Sequence, residues 1–155
     1  MKRHLIKHFI FVTLALYSTY LFANPSNDPI SKDTGIGKPG DPNKISRIIK
    51  ITTIENIFLP NEIYVKEGET IKFIVKNAGN KKHEMIINTI ANLKKYAKKK
   101  RNNPETKIAG FNHIQLDPGE SKALIWEFNK AGTIDFACPL PGHFKGMRGK
   151  INVET

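Results

Sequence analysis

From residue 45 onward, the apolar side chains of this chain recur at every second position. In GETIKFIVKN, residues 68–77, Ile71, Phe73 and Val75 share one face while Lys72 and Lys76 take the other. In SKALIWEF, residues 121–128, Leu124, Trp126 and Phe128 alternate with Ile125 and Glu127. In GTIDFAC, Ile134, Phe136 and Cys138 fall on one side, and near the C-terminus Ile151 and Val153 alternate with Lys150, Asn152 and Glu154. Successive side chains of a strand point to opposite faces, so this period predicts strands with one face buried. SRIIKITTI and LPNEIYVKEG supply two more runs, and Gly, Pro and Asn punctuate the set. Seven to eight short strands of this kind predict an all-β antiparallel sandwich or barrel.

One segment breaks the pattern. NTIANLKKYAKKKRNN, residues 88–103, holds good helix formers with Ile90, Leu93 and Ala97 at helical spacing. Asn88 or Thr89 can cap its start and Pro104 lies just past its end, so an inserted helix over residues 89–101 is expected. Lys94, Lys95, Lys98, Lys99, Lys100 and Arg101 read as its solvated face.

The two ends of the chain set its organisation. A basic head with Lys2, Arg3 and Lys7 precedes an uncharged run of 14 residues from Phe9 to Phe22, followed by Ala23, Asn24 and Pro25. The run is short of the roughly 20 residues that span a bilayer, so residues 1–23 read as a signal peptide and the mature chain as exported without a membrane span. Residues 24–43 carry four prolines and three glycines and read as a flexible lead. That leaves residues 44–155 as one domain, expected to be monomeric. Losing the leader removes three basic and no acidic residues, which takes the net charge from +11 to +8. An exported protein seldom meets nucleic acid, so this balance points to an anionic or acidic partner protein.

The chain has a single cysteine, Cys138, which can make no internal disulfide. A free thiol in an oxidising compartment is a liability, and enclosure in a metal site removes it. Cys138 heads CPLPGHFKGM, where His143 follows after four residues and Met147 after three more. Two imidazoles and a thiolate with a weak axial thioether make a copper electron-transfer site, so a second histidine is needed. His4 and His8 leave with the leader. His83 opens a short apolar run after a Gly-containing turn, where a strand would hold it at the end of the sandwich. His113 lies in AGFNHIQLDPGE, read as a loop without such a setting. His83 is therefore the expected partner. Met147 is assigned the axial position and Met85 the core.

At these residues the chain resembles the cupredoxins. The spacing Cys138, His143, Met147 is similar to the azurin form of their copper loop, and IFLPNEIYVKEGETIKFIVKNAGNKKHE is similar to their N-terminal half, ending at His83. The likeness covers roughly residues 45–155. HEM, DFACPLPGHFKGMRGKI and the inserted helix most resemble the exported cupredoxins of bacterial copper tolerance. The resemblance implies a Greek-key β-sandwich of seven to eight strands. It also implies one blue copper, cycling between Cu(I) and Cu(II), held by His83, Cys138, His143 and Met147. Glu84 stands where azurins commonly have an asparagine that tethers the ligand loop, and Pro139 removes a backbone donor beside the cysteine. The Leu140 amide can still reach the sulfur. Pro139 and Pro141 stiffen the loop, while Leu140 and Phe144 rim the His143 edge. Residues 24–43 lack the His- or Met-rich tail of many copper-tolerance members.

Two roles follow from the resemblance: copper tolerance in the periplasm, or an electron shuttle of the azurin and plastocyanin type. Catalysis is not expected. A Cys–His nucleophile would need an orienting third group, and a multicopper oxidase needs more than the three histidines that remain after export.

Overall fold

The computed structural model describes residues 35–155; the leader expected at 1–23 and the first part of the expected lead lie outside the described residues. Ten strands form two five-stranded sheets. The first sheet contains β1 (Lys38–Pro39), β2 (Arg47–Ile54), β3 (Ile57–Leu59), β5 (Thr70–Asn77) and β8 (Ser121–Glu127), in the order β1-β8-β5-β2-β3. The second contains β4 (Glu62–Lys66), β6 (His83–Asn88), β7 (His113–Leu116), β9 (Gly132–Ala137) and β10 (Arg148–Glu154), in the order β4-β10-β9-β6-β7. The sandwich with one inserted helix is the expected architecture. Strands of two to four residues such as β1, β3 and β7 are too short for a period to register. The pairing is mixed rather than wholly antiparallel: β2 runs parallel to β5 and β4 parallel to β10. The chain leaves the first sheet for β4 and returns to it at β5, a crossover that local alternation does not encode.

The alternating faces become the core. Ile71, Phe73, Val75, Leu124, Trp126, Phe128, Ile134, Phe136, Cys138, Ile151 and Val153 are all buried in one cluster between the sheets. Phe58 and Phe136 meet edge to face at 5.1 Å, and Phe73 and Phe128 do so at 6.2 Å. Each such side chain contributes about 1.5–3 kcal/mol by leaving water. Cys138 and Met147 belong to the same cluster, so the two sulfurs sit within the core rather than on its surface.

The domain begins earlier than residue 44. Ile36 is buried, its carbonyl accepts the Trp126 Nε1–H at 2.6 Å, and β1 pairs Lys38 with Glu127 and Pro39 with Trp126. Asp41 then caps a short 3-10 turn, Pro42–Lys44. The glycine content that reads as flexibility serves close approach here. Gly37, at φ 95°, lies against the Glu127 carbonyl and the Trp126 indole, where a Cβ would collide.

The inserted helix α1 spans Ile90–Asn102 and lies over β6 and β9. Thr89 is its N-cap, accepting from the Asn92 amide, and Asn88 Oδ1 accepts from the Thr89 amide and the Asn92 side chain. Ile86, Leu93 and Ala137 form a small second core, with Tyr96, Ile108 and Phe144 packed against it. Helix on one face and sandwich on the other leave β6 buried along its whole length. One lysine departs from the solvated face predicted for α1. Lys100 is buried and ion-paired with Glu84, because the final turns of the helix press it onto the sheet. No helix among the described residues is long and apolar enough to cross a membrane.

Candidate metal centre

β6 and β9 are neighbours, with Ile86 opposite Ala137 and Ile87 opposite Phe136. This register carries His83, the first residue of β6, toward Cys138, which directly follows β9. The loop from Cys138 to Met147 folds back on itself. The Cys138 amide donates to the Met147 carbonyl at 3.1 Å, the His143 amide to the Leu140 carbonyl at 3.0 Å, and the Met147 amide to the His143 carbonyl at 2.8 Å. Gly142, at φ 81°, supplies the left-handed step that turns the chain into His143. One donor atom each from His83, Cys138 and His143 lies within 4.8 Å of the others. Cys138 Sγ is 3.6 Å from His143 Nδ1, and the two imidazole centroids are 5.1 Å apart. Met147 is fully buried and tied by its backbone to both Cys138 and His143.

The electrostatics favour metal over a hydrogen-bonded core. Burial, followed by the neighbouring His143 imidazole, holds His83 below the ordinary histidine range. Burial and then Lys81 do the same for His143. Both rings thus keep free lone pairs at neutral pH. Burial pushes the Cys138 thiol up to about 11, although the backbone amides of Glu84, at 3.4 Å, and Leu140 donate to the sulfur and pull the other way. Among the described residues, neither buried ring nitrogen of His83 has a hydrogen-bond partner. Orphaned buried nitrogens are costly. A soft to borderline cation would take the lone pair of one of them, so the donor set fits copper.

Several residues that serve this end of the sandwich escape sequence reasoning. Asn77 is fully buried; its amide donates to the Lys81 carbonyl at 2.7 Å and the Leu116 carbonyl at 3.3 Å, and its Oδ1 accepts from the Gly79 amide. It thereby shapes the turn that delivers His83. An asparagine at the end of a strand, two residues before a glycine, was the available signal, but it marks any turn equally well. His113 is not in a loop apart from the site. It opens β7 opposite Ile86, and its Nε2 stands 3.3 Å from Glu84 Oε2. The Glu84 carboxylate is fully enclosed. Burial drives it upward, yet His113 and Lys100 more than offset that and leave it below the ordinary range. Leu140 and Phe144 are half-buried beside His143, Leu140 against the main core and Phe144 against the helix. A cavity of about 610 Å³ opens past His143, Leu140 and Pro141 toward Glu84, Lys100 and His113.

Known proteins match this arrangement. A family model described as a cupredoxin-like domain matches residues 10–153. The copper-resistant cuproprotein CopI of Rubrivivax gelatinosus is 34% identical over 165 aligned positions, covering 99% of this chain and all of that protein. CopI of Pseudomonas aeruginosa is 28% identical, covering 98% of each. Among solved structures, the reduced auracyanin of Roseiflexus castenholzii superposes with a TM-score of 0.62 at 23% identity, covering 72% of this chain and 99% of that one. An azurin of Methylomonas sp. strain J gives a TM-score of 0.55 at 18% identity, covering 71% of this chain and 99% of that one. Fold, donor geometry and full-length similarity converge: this chain belongs to the cupredoxin-like family.

Proposed function

We propose that this chain is an exported blue copper protein that binds one copper ion through His83, Cys138, His143 and Met147 and protects its cell against excess copper. The observation that carries this reading is the His83–Cys138–His143 cluster, its first two members buried and its donor atoms within 4.8 Å of one another. Full-length similarity to proteins named for copper resistance supports the physiological half. Bound copper would supply a one-electron couple, Cu(II)/Cu(I). The chain's own part is to hold the ligands in place. The two neutral imidazoles present lone pairs, and the Cys138 sulfur receives two backbone amides. Pro139 and Pro141 restrict the backbone on which His143 is carried, which limits ligand movement between the two oxidation states.

The first test is the visible and electron paramagnetic resonance spectrum of the copper-loaded mature protein. An intense sulfur-to-copper absorption that disappears in Cys138→Ser is expected; Cu(II) bound without that band would remove Cys138 from the ligand set. A second reading, an electron shuttle, draws on the half-exposed position of His143 at the mouth of a cavity. A deletion strain separates the two. Copper sensitivity is expected for protection, whereas normal tolerance with impaired respiration would replace protection by electron transfer.

A further inference from the structure

Three polar side chains outside the ligand set meet beneath α1: Glu84, Lys100 and His113. Lys100 Nζ is 2.7 Å from Glu84 Oε1, and His113 Nε2 is 3.3 Å from Glu84 Oε2. Glu84 is 1% exposed and Lys100 5%. The register explains the meeting. Glu84 faces Gln115 and Ile86 faces His113 across β6 and β7, so Glu84 and His113 share the face that α1 covers. His113 is itself held, its Nδ1–H donating to the Ile108 carbonyl at 3.0 Å. The Lys100–Glu84 pair thus ties the start of β6 to the last turns of α1, with His113 packed beside it at the start of β7. Burying ions is expensive, and apolar residues such as Ile86 and Leu93 already clamp the helix nearby. A clamp alone needs no carboxylate. What distinguishes Glu84 is its own backbone amide, which donates to Cys138 Sγ at 3.4 Å.

We propose that Glu84 is a positioning residue of the metal centre, its carboxylate pinned by the Lys100 ammonium so that its amide is held against the Cys138 sulfur. Through that hydrogen bond, α1 sets how much electron density the sulfur can share with a metal. The metal-facing half of this proposal rests on the reading of Cys138 as a copper ligand.

The test compares Lys100→Met with Leu93→Ala, which loosens α1 without touching the pair. Two readouts are taken: the residue 84 amide proton shift in metal-free protein, and the energy of the sulfur-to-copper band after loading. Lys100→Met should move both, Lys100→Arg should restore them, and Leu93→Ala should leave them in place. If Lys100→Met changes neither, or Leu93→Ala changes both equally, the pair is only a clamp. Should Lys100→Met not fold, the double variant Glu84→Gln/Lys100→Met removes both charges at nearly constant shape. Band energy in the double variant equal to wild type overturns the proposal, and a shifted band sustains it. A wild type without the sulfur band would defeat the copper reading, while the amide shift would still decide the positioning role.

Discussion

At the residue scale, the proposed ligand set draws on Cys138, His143 and Met147 standing close together in the chain. Their mutual geometry is a local matter of turns. His83 could be assigned only from its setting at a strand start, and the burial of its two ring nitrogens gives that assignment physical content. His113 was misread because a loop reading hid its register with Ile86. His83→Ala should lower copper affinity by more than about a hundredfold, whereas His113→Ala should stay within the roughly ten- to hundredfold expected of a ligand's neighbours. Competition titration against a chelator measures both, and the reverse order would exchange the two histidines. The thiol makes a further demand. With its pKa at about 11, Cys138 is protonated at pH 7, while both imidazoles, held below their usual range, are neutral. Copper uptake at pH 7 should therefore release one proton per ion, and affinity should rise about tenfold per pH unit until the thiol ionises. Calorimetry in buffers of differing ionisation enthalpy reads this directly; uptake without proton release would mean that the thiol is not a ligand.

Among the elements, α1 was visible in outline from helical spacing, its cap and Pro104. What spacing could not reveal was its docking. A helix rich in lysine reads as solvated, yet Leu93, Ala97 and Lys100 are buried on β6 and β9. The same docking explains why HEMIIN shows no alternation: both faces of β6 are covered. The Thr89 cap satisfies one of the helix's orphan amides, so Thr89→Ala should destabilise the protein by about 1 kcal/mol. Chemical denaturation followed by circular dichroism checks this, and an unchanged midpoint would mean that Asn88 caps the helix alone.

For the whole molecule, the segment at residues 35–44 behaves as a strap rather than a lead. Ile36 covers the edge of the core and accepts from Trp126. Ile36→Ala should cost about 2–5 kcal/mol and admit water to the indole. A lower denaturation midpoint together with red-shifted Trp126 fluorescence is the expected result; native emission and stability would show the strap to be dispensable.

The sequence by itself determined the sandwich, the inserted helix and the sulfur-bearing loop, since period-two burial, helical spacing and turn chemistry are properties of adjacent residues. The tertiary structure alone decided the parallel pairings, the anchoring of the N-terminal strap and the meeting of Glu84, Lys100 and His113. Each of these joins residues far apart in the chain. Whether such a residue faces water or a partner depends on how sheets and helix pack, which no local pattern records.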